Sequence, residues 1–356
     1  MWHKTEISKL FGIKYPILLG PMGGGFSTID LLADVSNAGG LGSYGAYTLT
    51  PEEILTTGAE IKLKTNKPFN INLWVNDVDK SLINYPKESL AKVQALFKPY
   101  FDELNIPLPE LSTNIPSKFE QQVEAVFKIK PAVFSFIFGL PSKEILKECA
   151  KLGIKTVGAA TTFDEAALME DAEVNAIVAA GFEAGGHRPS FLKPAKDSLT
   201  GTFALIQQIK AKIKVPVIAA GGITNGKGIA AALTLGADAV QLGTAFLACD
   251  ESNASPIHKS LLLSENVVPT VLSKSTTGRM GRMISNRIAE NVSFDTEVLP
   301  FPLQTRFLLP LKNAALKQGK TDLVNLWSGQ NNSGLKYTKT KDLMEALIME
   351  TNNLLQ

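Results

Sequence analysis

Val215-Pro216-Val217-Ile218-Ala219-Ala220-Gly221-Gly222-Ile223 is a short apolar, β-branched run that stops at two glycines, and Ala239-Val240-Gln241-Leu242-Gly243-Thr244 repeats the pattern after an intervening helical stretch. Apolar runs of this length, closed by glycine and separated by helical sequence, are the repeat of a parallel sheet covered on both faces. Six more such runs precede them: 17–20, 41–45, 69–75, 132–138, 155–159 and 175–180. With 215–220 and 239–243 the strand candidates come to eight, which predicts a TIM (β/α)8 barrel.

The helices between the runs carry start signals. Thr50-Pro51-Glu52-Glu53, Ser117-Lys118-Phe119-Glu120 and Thr162-Phe163-Asp164-Glu165 each have capping-box spacing, which lets a hydroxyl and a carboxylate satisfy free backbone N–H groups. Phe119, Val123, Val126 and Phe127 form one apolar stripe, and Ile145, Cys149 and Leu152 form another that Gly153 ends, so Cys149 is expected in the core. A plain barrel needs about 250 residues, which leaves roughly a hundred of the 356 as insertions above the strand C-termini. Two stretches break the rhythm: residues 76–116, proline-rich with a helix expected around Leu90, Val93 and Leu96, and residues 249–310. Long loops in compact domains usually carry function, so both are assigned to one inserted lid subdomain over a barrel made of residues 1–75, 117–248 and 311–356.

Hydrophobic residues make up 45% and charged residues 20%, enough for a large core, and 36 Lys plus Arg against 34 Asp plus Glu leave a net charge of only +2. That balance argues against a nucleic-acid or acidic-membrane partner, and the sequence fixes no oligomeric state. The two cysteines, Cys149 and Cys249, belong to no zinc-ligand pattern and fit a reducing compartment. The opening residues lack the apolar core of a signal peptide and no run approaches a membrane span, so a cytoplasmic enzyme without a metal is expected.

In a barrel the chemistry belongs at the strand C-termini. The first run ends in Gly20-Pro21-Met22-Gly23-Gly24-Gly25, which lets a flat ligand approach backbone and lacks the GxGxxG spacing of a dinucleotide fold. The glycine ends of the seventh and eighth runs, Gly221-Gly222 and Gln241-Leu242-Gly243-Thr244, suit a phosphate. The sixth ends in Glu183-Ala184-Gly185-Gly186-His187-Arg188, placing one of only three histidines where a substrate would lie. Imidazole there suits proton abstraction or hydrogen bonding to an anion. His3 and His258 receive no role, and Arg279 and Arg282 are read as either an anion clamp or a solvated pair.

These motifs, with Asn72 in Asn70-Ile71-Asn72-Leu73, Ala245-Phe246 after Thr244, and Trp327-Ser328-Gly329-Gln330, resemble the nitronate monooxygenases, formerly called 2-nitropropane dioxygenases, over essentially the whole chain. The resemblance implies non-covalent FMN, no metal, and oxidation of an anionic alkyl nitronate by dioxygen to a carbonyl compound and nitrite. Carried over by motif, it implies that Asn72, Gly185, Gly222, Gln241, Leu242, Gly243 and Thr244 hold FMN, that Met22 and Gly23 lie against the flavin ring, and that His187 is the catalytic histidine. Ala180 stands where family members often carry Gln, and Pro189 where they often carry Gly. Competing readings are an FMN-dependent NAD(P)H reductase of enoyl-acyl-carrier-protein or quinone, a catalytically silent flavin or phosphate binder, and, more remotely, a phosphosugar isomerase or aldolase barrel.

Overall fold

Eight parallel strands in the computed structural model form a ring, and the structure describes residues 1–293 and 295–355. In chain order they are Ile17–Leu19, Gly42–Gly45, Phe69–Trp74, Val133–Ile137, Lys155–Ala160, Ala176–Ala180, Val217–Ala220 and Ala239–Leu242. Each lies within two residues of its expected ends. From the second to the eighth, consecutive strands pair with one another, and the eighth also pairs with the first, in register Ile17 with Val240 and Leu19 with Leu242. The ring closes between the first and second strands through Leu41, whose N–H donates to Ile17 O at 3.0 Å while its carbonyl accepts from Leu19 N–H at 2.9 Å. This is the expected TIM barrel.

Side chains alternate along each strand between the barrel interior and the surrounding helices. The interior is narrow and filled mostly by small residues, Val157, Ala159, Val178, Ala180, Ile218 and Ala220, and Ile7, Phe11 and Ile13 of the N-terminal helix region join that core. The outward-facing residues pack with the helices in a larger core that holds Cys149, as expected, and Cys249. Both cysteines are free and buried. The last helix, Thr340–Leu354, packs against helices Gly226–Thr234 and Ile29–Asn37, so the chain leaves the eighth strand, builds a second body, and returns to finish the barrel wall.

That second body has its own core. Helix Lys87–Glu103, expected around Val93, contributes Val93, Phe97 and Phe101, and helix Leu303–Lys317 contributes Phe307 and Leu311. Phe307 stacks on Phe101 at 5.2 Å and meets Phe97 edge-on at 5.8 Å. A three-stranded sheet that the sequence did not announce, Thr270–Ser273, Gly281–Ile284 and Gly186–His187, ties this body to the loop after the sixth barrel strand.

Of the three expected capping boxes, one forms fully: Thr50 and Glu53 satisfy each other's backbone N–H. Thr162 accepts from Glu165 N–H, but the Glu165 carboxylate turns inward to Thr161 and to the N–H groups of Phe191 and Leu192. Those buried donors outcompete the helix terminus. Ser117 lies outside its helix, which starts at Phe119, because its hydroxyl donates to Asp77 at 2.6 Å. Among the described residues no helix is long and apolar enough to cross a membrane, and no group of three or more His, Cys, Asp or Glu is placed to hold a metal.

Phe307→Ala removes the ring at the centre of the second core, where it is fully buried. The expected cost is about 3–5 kcal/mol, read as a lower urea midpoint; a loss within about 0.5 kcal/mol would show that this core collapses around the missing ring.

Candidate active site

A cavity of about 640 Å³ opens at the C-terminal mouth of the barrel, between the strand ends and the second body. Of the residues singled out in the sequence, Met22, Gly23, Gly185, His187, Gly222, Gln241, Gly243 and Thr244 line it together. Two do not. Asn72 lies one step below Trp74 on the inward face of the third strand, buried and hydrogen-bonded to Ser135 Oγ at 2.9 Å. Leu242 faces outward into the core between strands and helices.

The glycine loops shape one end of the cavity. Among the described residues the backbone N–H groups of Gly222, Gly243 and Thr244 meet no protein acceptor, although they sit side by side at two strand ends. A Cβ on Gly243 would have no atom within 4 Å, so the space above it is open to a ligand. Gly222 has φ +70°, a left-handed conformation that glycine adopts without cost. Free N–H donors converging on open space are a cradle for an anion such as a phosphate.

A strap that the sequence offered only through its Trp-Ser-Gly-Gln motif braces these loops. Gly329 N–H donates to Thr244 Oγ1 at 2.8 Å, Gln330 N–H to Glu183 O at 2.8 Å, and Asn331 Nδ2 to Gly222 O at 2.9 Å. Gly185 must lack a side chain here, because a Cβ would stand 2.6 Å from Gly329 N. No periodicity signals such a strap, and Asn331 was not singled out.

His187 lies on the short strand paired with Gly281–Ile284. Its ring sits among Trp74, Trp327, Phe138 and Phe301, with centroids 4.9–6.3 Å away. Nε2 lies 2.8 Å from Thr277 Oγ1, and that hydroxyl gives its only hydrogen to Arg279 O at 3.0 Å. Nε2 must therefore carry the proton and donate to Thr277, leaving Nδ1 as the lone-pair nitrogen for a ligand. Enclosure in this aromatic wall, with the Arg279 guanidinium as a second cause, pushes the imidazole pKa down to about 3.

The two arginines are neither solvated nor a free anion clamp. Arg279 pairs with Asp79 through Nε and Nη2 at 2.9 and 2.6 Å, its guanidinium lying 4.3 and 4.5 Å from the ring centres of Phe138 and Phe301. Asp79 also takes the N–H of Phe301, so this ion pair latches the two insertions together beside His187. Arg282 is buried and donates to Phe182 O and Thr270 Oγ1. Arg188, fully buried, donates from Nη1 to the carbonyls of Ala180 and Gly181 and from Nη2 to that of Ser198, and so fixes the loop that carries His187. At the lid end the lining turns apolar, with Phe26, Leu247, Ile288 and Leu308, and Lys312 is the one formally charged side chain among the described lining residues. It makes no ion pair among the described residues, and burial draws its pKa below the usual lysine value.

A barrel mouth that sets free backbone donors opposite an enclosed, neutral histidine is the site of an enzyme acting on a small ligand. Comparison with known proteins sharpens this: the chain belongs to the nitronate monooxygenase family, whose model matches residues 4–350, and is accordingly an oxidoreductase. It is 34% identical over 358 residues to a probable nitronate monooxygenase of Staphylococcus aureus (strain Newman), covering 100% of this chain and 99% of that protein. Among solved structures it resembles the nitroalkane oxidase from Streptomyces ansochromogenes, with TM-score 0.88, 30% identity and 98% of each chain covered. It also resembles FabK from Thermotoga maritima, with TM-score 0.76, 26% identity, and 99% of this chain and 97% of that chain covered.

The folded pKa of His187 lies below its unfolded value of about 6.5, so on acidification the unfolded chain takes up the proton first. Stability present above about pH 6.5 is therefore lost as pH falls toward 3. His258, pushed down to about 4 chiefly by burial, acts in the same sense. His187→Gln should lose less urea stability between pH 7 and 4.5 than the unsubstituted protein; equal losses would show that the ring is not held neutral by its surroundings.

Proposed function

We propose that this enzyme oxidises alkyl nitronates with dioxygen to a carbonyl compound and nitrite, with FMN at the barrel mouth. The observation that carries the reading is the pairing of the unsatisfied N–H groups of Gly222, Gly243 and Thr244 with a neutral His187 across one cavity. The donors fit a single phosphate, and the open space above Gly243 fits its approach. FMN, when bound, supplies an acceptor for the electrons of the nitronate and a donor of electrons to dioxygen.

The chain's own residues then bind, orient and shield. Met22 and Gly23 form the cavity wall after the first strand, where a flat ring would lie. The lid, read as residues 76–116 and 249–310, covers the mouth and excludes water, with the rest of helix Leu303–Lys317 supplying Lys312. Lys312 attracts an anionic substrate into an otherwise uncharged chamber, where Coulombic attraction is weakly screened. His187 offers Nδ1 to the incoming group, Nε2–H being committed to Thr277. A ring with so low a pKa is a weak base, so the site favours a substrate that arrives already deprotonated over a neutral nitroalkane.

Cofactor analysis and turnover measurements test this. The protein should purify yellow, and mass spectrometry of the released cofactor should identify FMN. Gly243→Leu, at a position with an ordinary φ and open space, should keep the circular dichroism spectrum and lose most of the flavin; full occupancy in that variant, or FAD in the parent, overturns the cradle. Oxygen consumption should be faster with nitronates than with nitroalkanes. His187→Asn should cost about 10²- to 10⁴-fold with the neutral substrate and less with the nitronate, whose oxygens an amide still hydrogen-bonds. Near-parental activity on both would remove His187 from the reaction, and rapid anaerobic bleaching by NADH without nitronate turnover would replace the proposal with the reductase reading.

A further inference from the structure

We propose that His258, a residue with no evident role in the sequence, is a positioning residue for His187, acting through Trp327. His258 is fully buried on helix Pro256–Leu262, and its Nε2 lies 2.8 Å from Trp327 O. A carbonyl only accepts, so Nε2 carries the proton and the tautomer is fixed. Nδ1 is buried without a partner, and the ring edge meets Phe26 of the first glycine loop at 6.0 Å. Such a ring is held for one hydrogen bond and for shape.

That hydrogen bond pins Trp327, the first residue of the strap. The Trp327 indole packs 4.9 Å from the His187 imidazole, over Gly281, where a Cβ would stand 2.8 Å from indole Cζ3. Gly281 is the register partner of His187, so indole, imidazole and the Thr277 contact share one small space. Without the His258 donor, the Trp327 carbonyl is left without its protein partner in a partly buried place and the strap turns to find another. The indole then leaves its position against His187, and the Nε2–H to Thr277 geometry, with the exposure of Nδ1, is no longer held.

The inference rests on His187 being the group that meets substrate, so its test includes a measurement independent of turnover. Three histidines make the imidazole nitrogens tractable by ¹⁵N NMR in the holoenzyme. In the parent protein His187 should show a single neutral Nε2–H form. His258→Leu removes the donor and should turn this into a mixture of tautomers, lowering kcat for a simple alkyl nitronate about 10- to 100-fold with little change in KM. His258→Gln, whose amide can still donate to the carbonyl, should keep the single form and a kcat within about threefold, since it preserves the hydrogen bond. An unchanged His187 signal and kcat in His258→Leu, or a Gln variant as impaired as the Leu variant, overturns the proposal. If His258→Leu yields no folded protein, Trp327→Phe with His258 intact decides the matter: an unperturbed His187 signal there overturns it. A parent protein inactive on nitronates would sink the proposed function while leaving the NMR comparison to decide the positioning role.

Discussion

Two backbone hydrogen bonds at Leu41 turn an eight-stranded sheet with two open edges into a ring. Closure gives the molecule an inside, and with all strands parallel their C-termini converge on one mouth. Glycines allow the approach: a Cβ on Gly42 would run into the carbonyl of Leu32, so the helix behind the second strand sits close only because that position has no side chain. The interior is then filled by side chains, with Leu18 and Ile218 among the valines and alanines, and a ligand is confined to the mouth.

What happens at the mouth depends on how buried charge is handled. Arg188, Glu165 and Arg279 all lie near His187 in the loop and lid network, and each is spent on protein partners. Burying such groups without partners is costly, and these contacts brace the loop after the sixth strand, although Arg188 Nε and Arg279 Nη1 meet no protein acceptor. Lys312 is the contrast, a cation facing the same cavity without a carboxylate. The wall around the site is thus electrostatically settled, apart from the place where an anion is proposed to enter.

The barrel was legible because strand and helix periodicities differ and because most of the strands stop at a glycine or a small residue. The places of His187, Gly222 and Gly243 at the mouth were legible for the same reason, since strand ends converge there. Capping signals at Ser117 and Thr162 were less informative, because Asp77 and the 189–192 loop compete for the same hydroxyl and carboxylate from far away in sequence. The roles of Arg279, Asn331 and Trp327 were hidden for a like reason: each is set by contacts with residues about a hundred positions or more distant, which no local pattern encodes.

The second core joins Phe97 and Phe101 to Phe307, so its halves are separated by most of the barrel sequence. During synthesis the earlier half emerges first and must wait for its partner. A growing chain that has finished its eighth strand still presents the apolar face of helix Lys87–Glu103 to solvent, and the barrel wall lacks helix Thr340–Leu354. Both deficits are met only by segments made later. Inserting the lid between the eighth strand and helix Thr340–Leu354 therefore ties folding of the two bodies together, and it leaves the nascent protein dependent on whatever shields exposed apolar surface until those segments emerge.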